Sequence, residues 1–399
     1  MKKIKICYFN PRPSGCTWYR FVIPISALKA LDLVDHEYIH FKQDYPEILP
    51  EDLDALKRCD LFHLAREWTP YGLVLAKEAK KIGKKIWYDT DDNLFNVPSW
   101  NYASKVYSDP KVQAGVIDIL RQVDFMTSTQ KKLNEFYTQY TRCNKYVIPN
   151  IVPAQFFKTE RNEDDFINIL WAGSATHVED LKIIAPVVEQ ILAEFPNVYF
   201  TFLGYCLPEI QKLDSLRVKI MPATLFPYEY YGFLMCMNAD IAVAPLAYAS
   251  FNLYKSNVKL LEYGAINTAV IASKIGEYAN FIKHRQNGLL ADKYIEWYNG
   301  LRYLIQNKNE RRKLATALNG EVIKRADPTN FSILYNIFLK NLNIADTTSI
   351  EICGGFFEKW YNEIHSMSDF YKRHIKTDSF DRSQLVDDIE TFFETNQNA

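Results

Sequence analysis

The chain reads as an α/β protein built from two Rossmann-like domains with a cleft between them, plus a helical C-terminal extension. Three observations carry that expectation. Short apolar runs alternate with helical patterns twice along the sequence. A polar, charged stretch, PAQFFKTERNEDD, separates the two alternations. The length, 399 residues, exceeds what one ordinary core accommodates. The expected units are residues 1–155, 156–328 and 329–399, the last crossing back to the N-terminal domain and ending in an acidic tail.

Taken in order, IKICYF is a first strand, NPRPSGCT a loop, and WYRFVIPISALKAL a helix despite Pro24. HEYIHF, DLFHLA and KKIWYD follow as strands, with LVLAKEAKKIG an amphipathic helix between the last two, and then FMTSTQ and NKYVIPN. Strands separated by helices of this length imply right-handed βαβ units and a parallel sheet, whose ligands sit beyond the carboxyl ends of the strands. After the linker the second series runs FINILWAG, the helix LKIIAPVVEQILAEF, VYFTFLG and RVKIMP. It continues with the helix PYEYYGFLMCM, the strand ADIAVAPL, the helix NVKLLEYGAI and the strand AVIAS. Beyond Arg325, DPTNFSILYNIFLKNLN, FFEKWYNEI and SQLVDDIETFFET carry helical periodicity.

Composition narrows the function classes. Hydrophobic residues at 48% and charged residues at 24% are ordinary globular values. A formal charge of −1 supplies no global basic field for a polyanion. The seven scattered cysteines form no C-x-x-C pair, which disfavours a zinc site or a disulfide framework and suits a reducing compartment. MKKIKICYFN is a strand rather than a signal peptide, and no run of about 20 apolar residues appears. The expectation is a cytoplasmic protein without an integral membrane segment. No G-x-G-x-x-G follows either opening strand, which disfavours a dinucleotide-dependent dehydrogenase.

The densest chemistry lies in FNLYKSNVKLLEYG, residues 251–264. On a helix, Lys255, Lys259 and Glu262 fall within a stripe of roughly 60°. Ser256 or Asn252 would cap the helix, leaving first-turn amides that suit a phosphate. The same spacing also fits a solvated amphipathic helix with a Lys–Glu pair.

In combination, ADIAVAPL, K-S-x-x-K-x-x-E-Y-G-A, V-I-A-S-x-x-G-x-Y and N-G-L-L resemble the GT-B fold glycosyltransferases. The nearest resemblance is to retaining family 4 and its phage and bacterial relatives, over roughly residues 1–340. It implies GT-B architecture and transfer of a hexosyl or pentosyl group from a nucleotide sugar, UDP-linked, to an acceptor hydroxyl with retention. Glu262 matches the second glutamate of that family's Glu-x7-Glu motif, which holds the ribose; a carboxylate accepts two hydroxyl hydrogen bonds at once. The first glutamate is replaced by Tyr254, which leaves the donor sugar and the stereochemistry open between a stacking and a packing role for that ring. WAGSATHVEDL resembles the family's glycine loop: Gly173 permits close approach of a diphosphate, and Ser174 and His177 stand where the family places basic residues. Lys255 and Lys259 would supply the missing charge. His177 alternatively orients the following helix through Asp180.

In the N-terminal domain, Gly15 and Arg20 of NPRPSGCTWYR are candidate acceptor or phosphate contacts. In WYDTDDNLF, Asp89, Asp91 and Asp92 sit at a strand end, where they suit a base, a metal site or a turn. Asp92 or Asp89 is expected to contact an acceptor hydroxyl or an arginine such as Arg66. His63 is a strand-end candidate for a sugar contact or a core residue, and Asn150 a domain-junction asparagine.

The reading is thus a glycosyltransferase with Lys255, Lys259, Asp92 and Asp89 catalytic; Gly173, Ser174, His177, Tyr254, Ser256 and Glu262 on the donor; and Gly15, Arg20, His63 and Arg66 on the acceptor side. No metal or cofactor is expected beyond the nucleotide-sugar co-substrate. A glycan or surface-polysaccharide precursor is the expected acceptor. Two alternatives stand beside it: a phage-type enzyme that sugars a hydroxymethylated DNA base, using KKIGKK and IKHRQ as local basic patches, and an inactive nucleotide-sugar-binding protein.

Overall fold

The computed structural model describes residues 2–11, 14–154, 166–213, 216–222, 227–327, 329–345 and 355–377. Residues 155–165 of the expected linker PAQFFKTERNEDD and the segment SQLVDDIETFFET lie outside the described residues.

Two six-stranded parallel sheets form the frame. The first contains β1 (Ile4–Phe9), β2 (Val34–Ile39), β3 (Leu61–Ala65), β4 (Lys85–Thr90), β5 (Phe125–Ser128) and β6 (Asn144–Val147), in the order β2-β1-β3-β4-β5-β6. The second contains β7 (Ile167–Gly173), β8 (Val198–Gly204), β9 (Val218–Met221), β10 (Ile241–Ala244), β11 (Ala269–Ser273) and β12 (Leu289–Ala291), in the order β12-β11-β10-β7-β8-β9. The central strands are buried on both faces, so β10 reads as an unbroken apolar run and β7 as one interrupted by Asn168, whose side chain donates to Met237 O at 2.7 Å. One apolar cluster joins the halves, with Trp18, Phe21 and Trp87 from the first and Tyr231, Leu260 and Tyr263 from the second. The two strand orders reverse between β1 and β3 and between β10 and β7, the positions where ligands bind in such sheets.

The expected helix over 18–31 is interrupted. Gly15–Thr17 is α-helical, Trp18–Val22 is a π-helical turn, and Ile23–Ala30 resumes the α-helix with Pro24 in its first turn. Proline has no N–H to give the carbonyl four residues back, and the wider turn absorbs the missing bond. A π turn also re-aims successive side chains: Trp18 and Tyr19 reach the second half, while Arg20 reaches the first.

The segment 251–264 is likewise not one helix. Phe251–Tyr254 is a 3₁₀ turn, Lys255 is extended, and the α-helix runs Val258–Ala265. Neither expected cap forms. Ser256 Oγ accepts from Asn150 Nδ2 at 3.0 Å, and Asn252 Nδ2 donates to Ala247 O at 2.9 Å. The helices Pro50–Arg58, Pro110–Leu120, Tyr294–Gln306 and Lys308–Arg325 escaped the periodicity reading.

The helices Thr329–Asn341 and Phe356–Thr377 pack on Ile23–Ala30 of the first half. Trp360 Nε1 donates to Ser26 Oγ at 3.0 Å, Lys29 pairs with Glu363 at 3.0 Å, and Tyr335 Oη donates to Lys2 O at 2.9 Å.

Candidate active site

A cleft of about 440 Å³ opens between the carboxyl ends of the two sheets, a size suited to a small ligand. Its second-half wall comes from the end of β7 (Gly173, Ser174, Thr176, His177), the end of β8 (Gly204), and Lys255, Ser256, Lys259 and Glu262. Its first-half wall comes from Ser14, Gly15, Cys16 and Tyr19 after β1, Arg66 after β3, and Asp91 and Asp92 after β4. Each group follows a strand end, so the sheets position them.

The second-half wall is cationic at its base. Lys259 is 6% exposed; its Nζ donates to Ala172 O and lies 5.0 Å from the Trp171 ring. Burial lowers its pKa to about 8, against the opposing pull of Glu262 and Asp180. A Cβ at Gly173 would come 2.9 Å from that Nζ, so only glycine leaves the ammonium in place. Glu262 is 6% exposed and accepts from Tyr19 Oη at 2.5 Å and Tyr230 Oη at 2.9 Å. Burial raises its pKa, opposed by Lys259 and the two phenols.

The first-half wall is a charge mosaic. Arg66, held in the left-handed region at φ 51°, brings Nη1 to 3.4 Å from Asp91 Oδ1, 3.8 Å from Asp92 Oδ2 and 2.8 Å from Cys16 Sγ. Lys255 reaches across the cleft to within 3.8 Å of Asp92 Oδ1. Burial and Asp91 push the Cys16 thiol up, so it carries no thiolate at neutral pH.

Four expected site residues stand elsewhere. Asp89, 1% exposed, accepts from Arg20 Nε at 2.9 Å, Arg20 Nη2 at 2.7 Å and Thr127 Oγ1 at 2.5 Å. Arg20, 5% exposed, also donates to Ile148 O and Asn150 Oδ1. Both belong to a buried ion pair rather than to catalysis or acceptor binding, because each charge is neutralised inside the first half. His63 is fully buried against Phe21, Tyr8 and Trp87 in the core. Tyr254 packs on Phe136 and lines no part of the cleft. The sequence reading missed Cys16, Tyr19, Asn101, Tyr102 and Tyr230 in the lining. The loop position after β1 is a signal for the first two; nothing local marks Tyr230.

His177 is neutral in the folded chain, burial lowering its pKa to about 4, and His36 is lowered to about 4 by the same cause. Both would titrate near 6.5 when unfolded. Between those values the unfolded chain binds more protons, so stability falls as pH falls from 6.5 toward 4. The expected loss is roughly 3 kcal/mol per histidine once both states are protonated. Melts across that range should lose this part of the slope in His36→Gln and His177→Gln; an unchanged slope would refute the assignment.

Residues 167–307 match the family model "Glycosyl transferases group 1". No curated protein matches the chain. Among solved structures it is similar to a sucrose-phosphate synthase from Thermosynechococcus elongatus: 15% identity, 86% of this chain and 99% of that one covered, TM-score 0.60. A glycosyltransferase from Rickettsia africae gives 13% identity, 86% and 100% coverage, and a TM-score of 0.62. Anabaena HepE in complex with UDP-glucose gives 15%, 84% and 99%, and 0.62. Residues 167–307 thus carry a glycosyl transferases group 1 domain, and the chain as a whole has the GT-B fold.

Proposed function

We propose that the chain transfers a sugar from a UDP-linked donor to a hydroxyl of a glycan or surface-polysaccharide precursor, with retention of configuration. The observation that carries this is the convergence of Lys255, Lys259, Glu262 and Gly173 on one wall, opposite Gly15, Arg66 and Asp92. In this reading the second half holds the nucleotide, with Glu262 on the ribose; the structurally similar Anabaena HepE is in complex with UDP-glucose. The family model's residues 167–307 include that wall.

The acceptor lies on the first-half wall, where Asp92 accepts a hydrogen bond from a hydroxyl beside the attacking one and so fixes the acceptor's orientation. Donor diphosphate replaces Asp92 as the partner of Lys255, and Lys255, Lys259 and the first-turn amides of Val258–Ala265 offset the charge on the departing phosphate. No metal ion or cofactor enters this proposal. The acceptor oxygen bonds to the anomeric carbon as the bond to the diphosphate breaks, and the acceptor's proton passes to a leaving phosphate oxygen on the same face. The reaction takes place in the cytoplasm on this reading.

Incubation with a panel of UDP-sugars, followed by mass spectrometry against glycan and hydroxymethylated-DNA acceptors, tests it. The expected result is UDP release coupled to glycan mass gain, with an α product by NMR from an α donor. Transfer to DNA would replace the acceptor proposed, and neither release nor transfer from any UDP-sugar would sink the reading. Asp92→Asn, which loosens the acceptor's orientation, is expected to cut transfer about 100-fold while leaving UDP binding intact.

A further inference from the structure

The hydrogen bonding of His177 is one-sided. Nδ1 lies 2.6 Å from Asp180 Oδ2, whereas Nε2 has no hydrogen-bond partner among the described residues, and the ring lines the cleft. Asp180 is 4% exposed and engaged on its other oxygen, where Oδ1 accepts from Ala247 N at 2.7 Å and Asn252 Nδ2 at 3.3 Å. A carboxylate has only lone pairs to offer, so the ring nitrogen beside it must carry the proton. That leaves the lone pair on Nε2. Double protonation is opposed by burial and by Lys259 and Lys255, with Asp180 alone favouring it.

We propose that His177 reads a hydroxyl of the donor's sugar, accepting its hydrogen bond at Nε2, and that Asp180 is the positioning residue that fixes the tautomer. This rests on the donor reading above. It divides the wall by chemistry. A lone pair repels a phosphate oxygen but accepts from an alcohol, so the diphosphate falls to Lys255 and Lys259 and the hexose lies on the His177 side. His177 thereby takes a role different from the phosphate contact its place in the glycine loop implies. Asp180 also holds Asn252, one turn before Lys255, so one carboxylate sets the position of both the sugar-reading and the phosphate-facing groups.

The test uses the full chain and calorimetry with UDP and with whichever of UDP-glucose, UDP-galactose and UDP-N-acetylglucosamine the unmodified protein binds most tightly. His177→Ala is expected to weaken the UDP-hexose roughly tenfold while UDP changes less than about twofold, and His177→Gln, whose amide oxygen can accept, to recover part of the loss. Unchanged UDP binding also reports that each variant folds. Equal weakening of UDP and UDP-hexose would mean a phosphate contact and overturn the inference, as would no weakening of either. Absence of UDP binding by the unmodified protein would defeat the donor reading and the inference with it; UDP binding without any UDP-hexose binding would defeat the inference alone.

Histidine ¹⁵N spectra, with His177→Gln identifying the signal, are expected to show Nδ1 protonated and Nε2 bare at pH 7. Asp180→Asn should mix the tautomers and weaken the UDP-hexose more than UDP. A doubly protonated ring or the opposite tautomer in the unmodified protein overturns the assignment.

Discussion

Replacing Lys259 by methionine is expected to lower kcat/KM for sugar transfer by about 10²–10³-fold without lowering the melting temperature. Methionine keeps the length of the stem and its packing beside Trp171, so only the charge and the donor hydrogens are lost. Stability should hold because an ammonium buried to this depth is costly to keep charged, and its removal relieves that cost. The unmodified enzyme adds a second readout. With a folded pKa of about 8, Lys259 loses its charge as pH rises through that value, so kcat/KM should fall on the alkaline side with an apparent pKa near 8. Lys259→Met should lack that limb. Full activity in the variant, or an alkaline limb that survives the substitution, would remove Lys259 from the mechanism.

Asp89→Ala is expected to act on folding instead. The substitution strands Arg20 at 5% exposure with no carboxylate, and breaking one side of a buried pair costs about 3–5 kcal/mol. The melting temperature should drop by roughly 10 °C. A double change, Arg20→Met with Asp89→Leu, should restore much of it, because it removes both desolvated charges together. Residual activity per folded molecule is expected to stay within about tenfold, since neither side chain lines the cleft. An undiminished melting temperature with abolished turnover would return Asp89 to the catalytic group.

These two substitutions show where sequence is a good guide to this protein and where it is not. The parallel sheets were legible because strands covered on both faces must be largely apolar, as IAVA is throughout and INILWAG is apart from Asn168. Lys259 and Glu262 were legible because helical spacing alone puts them on one face of Val258–Ala265. Lys255 reaches the same cleft from an extended backbone, so the periodicity that singled it out is not what places it. Asp89, Arg20 and His63 were misplaced because their burial depends on partners 69 residues apart in the chain, as Arg20 and Asp89 are. The helix Pro110–Leu120 did leave a mark. Asp109 accepts from Lys111 N and Pro110 opens the first turn, the arrangement expected at a helix start.

The C-terminal helices on Ile23–Ala30 also bear on how the cleft opens. The chain passes from the first sheet to the second after β6 and returns ahead of Thr329, so the halves share two covalent tethers. Two tethers mark out a line, and the soft motion of one body against another held at two points is rotation about that line. Opening is then a swing like that of a book on its spine, in which the far lip moves most and the spine side stays shut.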